Sequence, residues 1–220
     1  MHFEVLVEDL SGKKTLDILV PKIIGEANTY RVKAYNGIGH IPKGLSPKHD
    51  PQKRILLDQL PRLLQGYGRT SSNPSSAVAV IVVCDLDHRC LRSFRRELYA
   101  ILESCHPKPD AHFCIAIEEL EAWFLGDLPA IRSVYPGAKN AVLQGYENDS
   151  ICGTWEKLAD AVYKGGASAL SGNGWQKQKV GEEKSRWAER ISPCMDVNNS
   201  RSPSFVYFRE KLLKLAISGV

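Results

Sequence analysis

The chain lacks the sequence signals of several common classes of protein. It has no apolar run of the ~20 residues that a membrane-spanning helix needs, and residues 1–5 do not begin a secretory signal. Neither a Gly-x-x-x-x-Gly-Lys-Ser/Thr phosphate loop nor a Gly-x-Ser-x-Gly nucleophile motif is present. We therefore predict a cytoplasmic protein without a membrane partner, whose chemistry depends on neither a P-loop nor a nucleophilic serine of this kind.

The six cysteines give no sign of a disulfide framework or of a zinc site. No two of them form a Cys-x-x-Cys pair. Cys90, Cys105 and Cys114 each lie near a histidine, but their spacings match no common structural zinc pattern. In a reducing compartment all six would act as small hydrophobic residues.

Length and composition predict a single compact unit. The 220 residues are 43% hydrophobic and 25% charged, which is ordinary for a globular protein that buries a substantial core. The net charge of +4 is too small to identify a nucleic-acid-binding protein, so that argument must rest on local clusters. We expect an α/β core over residues 1–135 and a helical C-terminal extension over 136–220, packed on that core.

The most informative segment is a short apolar run that ends in two aspartates. Residues 77–83 (Ala-Val-Ala-Val-Ile-Val-Val) precede Cys84 and the motif Asp85-Leu86-Asp87. Such a run predicts a strand buried on both faces, as in a parallel sheet. Alternation would point Asp85 and Asp87 to one side at the carboxyl end of the strand, where open α/β sheets bind ligands. The pair would need a cation such as Mg²⁺ between its carboxylates, unless one aspartate caps the next helix and Asp87 is solvated.

Acidic residues also follow two other predicted strands. Residues 3–7 predict a strand that ends at Glu8 and leads into a helix over 13–24. Residues 112–117 predict a strand that leads into a helix over 118–125. Together these elements predict an α/β fold with a mostly parallel, Rossmann-like sheet flanked by helices.

The acids at these strand ends form one predicted metal site, because the carboxyl ends of parallel strands meet at the same edge of a sheet. Glu118 and Glu121 would share a helical face, whereas Glu119 could join Glu121 at the metal from the strand-to-helix turn. Each glutamate could instead be an ordinary first-turn acid that favours the helix dipole. The predicted metal ligands are Glu8, Asp85, Asp87, Glu119 and Glu121, with Glu118 as an alternative to Glu119.

Several segments resemble a known family. They are residues 7–13 (Val-Glu-Asp-Leu-Ser-Gly-Lys), 83–87 (Val-Cys-Asp-Leu-Asp), 115–127 (Ile-Ala-Ile-Glu-Glu-Leu-Glu-Ala-Trp-Phe-Leu-Gly-Asp) and 202–205 (Ser-Pro-Ser-Phe). A glutamate that closes the first strand and an Asp-x-Asp that closes a later one resemble the Toprim pattern of topoisomerases, primases and overcoming-lysogenization-defect nucleases. Taken together, the segments are similar to domain-of-unknown-function family 4276, a Toprim-like bacterial family.

The resemblance implies a Toprim-like fold that binds Mg²⁺ or Mn²⁺ and, as in the nuclease relatives, cuts phosphodiester bonds. It also implies a role in bacterial anti-phage defence beside a partner ATPase. One position departs from the pattern, because Toprim nucleases commonly carry a second acid four residues after the first glutamate, where this chain has Gly12. One metal site would be weakened unless Asp9 or Glu121 replaces that acid.

Two clusters of basic residues could hold a phosphodiester backbone. The first comprises Arg89, Arg92, Arg95 and Arg96, and the second, near Trp175, comprises Lys177, Lys179, Lys184 and Arg186. Arg92 and Arg96 share one helical face, so we predict that they contact nucleic acid together with Lys179. The resemblance implies a lysine near Lys177, which we assign as the catalytic lysine that stabilises the transition state or the leaving group. The alternative is that both clusters are solvated helix faces paired with neighbouring glutamates.

The sequence supports two functions. The first is metal-dependent cleavage of DNA or RNA, with Glu8, Asp85, Asp87 and Lys177 as the catalytic residues. The second is a non-catalytic Toprim-like module that senses nucleic acid or docks on an ATPase, and Gly12 in place of an acid favours it. Asp-x-Asp phosphatase chemistry of the haloacid dehalogenase kind fits less well, because here the motif comes late in the chain and lacks the glycine that normally follows it.

Overall fold

The computed structural model describes residues 1–42, 53–70, 78–172 and 177–218, with the backbone alone for Lys177. Within these ranges four strands form one parallel sheet, which confirms the predicted α/β class. The strands are β1 (His2–Val7), β2 (Thr29–Ala34), β3 (Val78–Asp85) and β4 (Ala111–Ala116), in the spatial order β2-β1-β3-β4. The narrower Toprim assignment stays an expectation from the resemblance.

Helices connect the strands and make up most of the chain after β4. The connecting helices are α1 (Leu10–Ile24), α2 (Leu56–Thr70) and α3 (Leu91–Glu103). The later helices are α4 (Glu121–Leu125), α5 (Leu128–Val134), α6 (Asn140–Gln144), α7 (Thr154–Val162), α8 (Gly166–Ser171), α9 (Lys177–Ile191) and α10 (Pro203–Ser218). The helix predicted over 118–125 begins only at Glu121, because the chain turns at Glu118, whose φ is 59°. Among the described residues, no helix is both long and apolar enough to cross a membrane.

Both faces of β3 are buried, as predicted. Ala79, Ile81 and Val83 pack in one hydrophobic cluster with apolar residues of α1, α9 and α10. The intervening Val80 and Val82 pack in a second cluster with residues of α2 and α3. These strand side chains are at most 1% exposed. Since burial contributes about 25 cal/mol per Å² of apolar surface, it favours a central position in the sheet for this strand.

β1 lies between β2 and β3. The strands that follow β1 in the chain are therefore added first on one side of it and then on the other. The chain passes from β1 to β2 on one side and then crosses back to β3 on the other. In open α/β sheets such a reversal opens a crevice at the carboxyl ends of the strands. Here the crevice lies between the end of β1, which Glu8 follows, and the end of β3, which is Asp85.

The helices after residue 135 share the hydrophobic core of the earlier elements. α9 and α10 pack against α1, and α10 also contacts β4. Trp187 of α9 and Phe205 and Phe208 of α10 are fully buried in the same cluster as Phe3 of β1. The C-terminal helices therefore contribute to the core, and the division into two parts at residue 135 stays a prediction.

Candidate metal centre

Two carboxyl groups meet across the crevice between β1 and β3. The backbone N–H of Asp85 donates a hydrogen bond of 3.2 Å to Glu8 Oε2, which holds the Glu8 side chain against the end of β3. Beside this pair lies a cavity of about 10 Å³ whose lining also includes Glu121 and Lys184. A space of this size holds about one water molecule or one small ion.

Burial and neighbouring negative charges raise the pKa of both carboxyls of this pair and outweigh the charge of Lys184, which lowers it. Burial raises the pKa of Glu8 to about 7, and the charges of Asp9 and Asp87 add to the shift. Burial also raises the pKa of Asp85 well above its ordinary value, and the charge of Glu8 raises it further. Near neutral pH the pair therefore favours the binding of a proton or of a cation.

Asp87 lies at the mouth of the crevice. β3 ends at Asp85, and Asp87 occupies the following turn with a φ of 51°, so strand alternation was the wrong reason for grouping the two aspartates. The Asp87 side chain is 46% exposed, and its Oδ2 lies 3.8 Å from Arg89 Nη1. Neither aspartate caps α3, because the N-cap residue of that helix is Cys90. The negative charge of Asp87 nevertheless raises the pKa of Glu8, so the two carboxyls interact electrostatically.

Lys184 supplies positive charge to the other two predicted ligands. Its Nζ lies 3.3 Å from Glu119 Oε1 and 3.2 Å from Glu121 Oε2. Burial alone lowers the pKa of Lys184, but the neighbouring carboxylates, Glu121 first, outweigh burial and raise that pKa. Burial, followed by the charge of Glu121, raises the pKa of Glu119 to about 7. The ammonium therefore stays charged between the two glutamates.

Lys184 is the lysine that the described part of the structure brings to the acids. The side chain of Lys177 lies outside the described part of the chain, so its catalytic role stays a prediction. The sequence signal for Lys184 is its place in the apolar stripe of α9, three and four residues before the buried Trp187 and Ala188. A lysine in such a stripe needs a buried partner, and the two glutamates provide one.

The predicted nucleic-acid contacts lie on exposed surfaces. Arg92 and Arg96 are exposed on α3, one helical turn apart. Lys179 is exposed on α9, with its Nζ 5.8 Å from the centre of the Tyr163 ring. All three side chains are accessible to a ligand, and their contact with nucleic acid stays a prediction.

Glu118 caps a helix and does not take the place of Glu119 in the acidic group. Its carboxylate accepts hydrogen bonds from the backbone N–H groups of Cys152 (3.0 Å), Gly153 (2.9 Å) and Thr154 (2.9 Å), and from the Thr154 hydroxyl. These donors lie at the start of α7. Burial alone raises the pKa of Glu118, but the hydrogen bonds outweigh burial and lower that pKa.

Glu118→Gln should destabilise the protein by about 1–3 kcal/mol, because the amide turns an N–H₂ group toward backbone donors that need an acceptor. Since folding lowers the pKa of Glu118, its contribution is present at neutral pH and is lost as the pH falls through the lowered value. Urea unfolding at pH 7 measures the change, and Mn²⁺ affinity should stay the same. A loss of Mn²⁺ binding without a loss of stability would place Glu118 among the metal ligands instead.

Packing at Gly12 leaves no room for a side chain at the position where Toprim nucleases commonly carry a second acid. A Cβ atom at this position would lie 2.6 Å from Val7 Cγ2, and Val7 is buried in β1 and cannot easily move. Asp9 is already committed to capping α1, because its oxygens accept hydrogen bonds of 2.6 Å from Gly12 N and Ser11 Oγ. The acid that Toprim nucleases carry at this point therefore has no room in this chain.

We expect Gly12→Ala to destabilise the protein by about 1–3 kcal/mol, because the added methyl group overpacks against Val7. Gly181→Ala in α9 is the matched control, since a Cβ atom there meets nothing within 4 Å and alanine favours a helix. In thermal unfolding the two variants should shift Tm in opposite directions. Similar shifts would mean that position 12 has room for a side chain.

Two of the segments that resemble the family contact each other. Trp123 of α4 is fully buried and donates from Nε1 to Ser204 Oγ at 3.0 Å. Its ring stacks on Phe208 at 4.9 Å between centroids and meets Phe205 edge-on at 5.4 Å. This packing fixes α4 on α10 and so determines the position of Glu121, the first residue of α4.

The donor set fits a hard divalent cation, although the arrangement is not a preformed metal site. No group of three or more Asp, Glu, His or Cys side chains in the described ranges could hold a metal ion as it stands. Two of the glutamates are paired with Lys184, and Asp87 lies at the mouth. The poorly neutralised oxygens of Glu8 and Asp85 beside a one-ion cavity are nevertheless the kind of ligand that Mg²⁺ and Mn²⁺ favour.

Comparison of the chain with protein-family models, with curated proteins and with solved structures found no match. The likeness to domain-of-unknown-function family 4276 therefore rests on the sequence motifs alone. What the site can do must be inferred from the carboxyls at the ends of β1 and β3 and from the ammonium beside them.

Proposed function

We propose that this chain is a nuclease that hydrolyses phosphodiester bonds of DNA or RNA with the aid of one Mg²⁺ or Mn²⁺ ion. The observation that carries the proposal is the pair of poorly neutralised carboxyls, Glu8 and Asp85, at the crevice of a parallel sheet. Such a pair raises the free energy of the folded state, and pairs of this kind occur mainly where they serve a ligand or a reaction. The family resemblance adds the class of substrate.

Three residues would hold the ion. Glu8 and Asp85 extend from adjacent strands, whose pairing fixes the spacing of their backbones, and Asp87 adds a carboxylate from the exposed turn. When bound, the ion supplies a coordinated water of lowered pKa and positive charge at the phosphate. The exposure of Asp87 leaves this side of the site accessible to a substrate.

In this proposal Lys184 takes the place of a second metal ion. Its ammonium lies between Glu119 and Glu121, so these acids already have the positive charge that a second ion would bring. A fixed ammonium can donate hydrogen bonds to a phosphate oxygen and stabilise the negative charge that develops there. We therefore assign to Lys184 the role that the sequence suggested for Lys177. The two glutamates then position the lysine.

A second candidate function is a non-catalytic module that binds nucleic acid or docks on an ATPase. The observation that favours it is the ion pairing of Lys184, which neutralises two of the predicted metal ligands. A role in anti-phage defence with a partner ATPase belongs to the proposal through the family resemblance alone.

Cleavage assays decide between the two functions. End-labelled single-stranded and double-stranded DNA and RNA would be incubated with the chain in Mg²⁺, Mn²⁺ or EDTA. We expect cleavage of at least one of these substrates with metal and none in EDTA. Glu8→Gln should abolish the activity, and Glu189→Gln, at an exposed glutamate of α9, should retain it. Metal and nucleic-acid binding without cleavage would establish the non-catalytic module, and cleavage by Glu8→Gln at the parent's rate would contradict the site assignment.

Metal affinity should rise with pH across the neutral range. Without a bound cation the pKa of Glu8 is about 7, so a proton competes with the ion below that pH. We expect the apparent Mg²⁺ affinity to increase about fivefold between pH 6 and pH 7, and only about twofold more by pH 8, where it levels off. Isothermal calorimetry measures the profile, and Glu8→Gln should remove most of its pH dependence. An affinity that does not change with pH would argue against Glu8 as a ligand.

A further inference from the structure

A second cavity, distinct from the one at the candidate metal centre, lies along the edge strand of the sheet. It has a volume of about 300 Å³, within the range of small-ligand pockets. Its lining is mostly apolar, with Phe113, Ile115 and Ile117 from β4 and the residue after it, Leu91 from α3 and Tyr207 from α10. Among the described residues no strand pairs with the outer side of β4, so the pocket is bounded by α3 and α10.

Cations and aromatic rings surround this pocket. The guanidinium of Arg95, which lines the pocket, lies 5.6 Å from the centre of the Tyr207 ring. Lys211 Nζ lies 5.8 Å from the same ring, and the Tyr99 ring meets Phe113 edge-on at 5.3 Å between centroids. Arg95 forms no hydrogen bond or ion pair with another residue of the described ranges, so its N–H donors are available to a ligand.

Asp149 places a hydrogen-bond acceptor in the lining of the same pocket. One of its oxygens accepts from Ser202 Oγ at 2.7 Å, and the other accepts from the backbone N–H of Ser204 at 2.6 Å. These bonds fix the carboxylate and leave each oxygen able to accept a further hydrogen bond. The pocket thus combines apolar walls with two polar groups. The Asp149 carboxylate is a fixed hydrogen-bond acceptor, and the Arg95 guanidinium can donate two parallel hydrogen bonds.

We propose that this pocket binds a nucleobase, and guanine best of the four. A base is a flat ring with apolar faces and an edge of donors and acceptors, which matches this lining. Arginine donates two hydrogen bonds to O6 and N7 of guanine, and a carboxylate accepts from the N–H groups of a base. Aromatic rings with nearby cations are also the platforms on which nucleic-acid-binding proteins stack bases. The choice of a base as the ligand rests on the proposed function.

The pocket lies beside the candidate metal centre. Ile117 precedes Glu119 by two residues, so their Cα atoms are within about 7 Å of each other, and Leu91 follows Asp87 by four residues. A base in the pocket would therefore belong to a nucleotide close to the scissile phosphate, or to a free nucleotide bound at the border of the site. The chemistry of recognition is the same for both sources.

Binding measurements in EDTA test the pocket without any need for cleavage. GMP, AMP, CMP, UMP and a single-stranded RNA octamer, with either guanine or an abasic site at one position, would be titrated into the full chain by calorimetry. We expect GMP or the guanine octamer to bind at one site, and Arg95→Gln to weaken that binding about tenfold or more. Leu91→Trp, which fills the pocket and keeps Arg95, should weaken it similarly. The control Arg69→Gln, at an exposed arginine of α2, should change the affinity by less than about twofold.

The two kinds of probe identify the source of the base. GMP binding as tight as that of the octamer indicates a free nucleotide, and binding of the octamer alone indicates a base within a strand. Equal binding of the guanine and abasic octamers would overturn the proposal, as would a loss in Arg95→Gln without a loss in Leu91→Trp, because Arg95 would then contact only phosphate. No saturable binding of any probe would also overturn it. These outcomes involve neither metal nor Glu8, so they are independent of the cleavage assay.

Discussion

Lys184→Met is expected to destabilise the metal-free protein by about 3–5 kcal/mol at pH 8. The substitution removes the ammonium that lies 3.3 Å from Glu119 and 3.2 Å from Glu121, and it leaves both carboxyls without this partner. Loss of Lys184 removes a charge that lowers the pKa of Glu119, so this pKa rises above its value of about 7 in the parent, and protonation of Glu119 should make the loss smaller at lower pH. Urea unfolding in EDTA at pH 5 and pH 8 measures both effects.

Lys14→Met is the matched control for this substitution. Lys14 of α1 forms an ion pair of 2.7 Å with Glu189, and the two side chains are 40% and 56% exposed. An exposed pair contributes only about 0–1 kcal/mol. Added Mn²⁺ should restore much of the stability lost in Lys184→Met, because an ion can replace the ammonium between the glutamates. Equal destabilisation by the two substitutions would mean that Lys184 is an ordinary surface residue.

Asp85→Asn should reduce metal-dependent cleavage by at least about 10³-fold and, in EDTA, make the folded chain more stable. Asparagine keeps the shape of the side chain but removes the charge that burial and Glu8 disfavour. Since folding raises the pKa of Asp85, its cost is absent below the unfolded pKa and grows as the pH rises toward the folded value. The variant should gain about 1–3 kcal/mol over the parent at pH 8 and little at pH 4, as measured by urea unfolding.

Asp17→Asn separates this effect from a general loss of negative charge. Asp17 is 40% exposed and pairs with Lys13 within α1, so its substitution should change stability by about 0.5 kcal/mol at most. Cleavage should be unchanged. If Asp85→Asn is less stable than the parent in EDTA, Asp85 is a structural residue that the fold itself requires.

Sequence reasoning predicted the main elements because burial and periodicity determine them. The apolar run over 77–83 indicated a central strand, and the structure places β3 there, with both faces buried. The helical face predicted for Arg92 and Arg96 lies on α3 (Leu91–Glu103). The sequence did not indicate α5, α6 and α8, because helices of 7, 5 and 6 residues are too short to carry a clear helical period.

The candidate site was predictable only where strand ends define it. Glu8 and Asp85 could be paired from the sequence, since adjacent parallel strands bring their carboxyl ends together. The different roles of Glu118, Glu119 and Glu121 were not predictable from the sequence. Glu118 accepts hydrogen bonds from the start of α7, whose first residue is 36 positions later. The role of Lys184 also depends on tertiary packing, since its partners lie on a distant segment of the chain.

Equilibrium binding of Mn²⁺ tests the metal centre most directly. Electron paramagnetic resonance at pH 8 counts the free Mn²⁺ during a titration and so gives the number of ions that each chain binds. We expect one ion for the parent chain, none for Asp85→Asn over the same concentrations, and two for Lys184→Met. No bound ion in the parent chain, or the same number in the parent and in Asp85→Asn, would contradict a metal centre at Glu8 and Asp85.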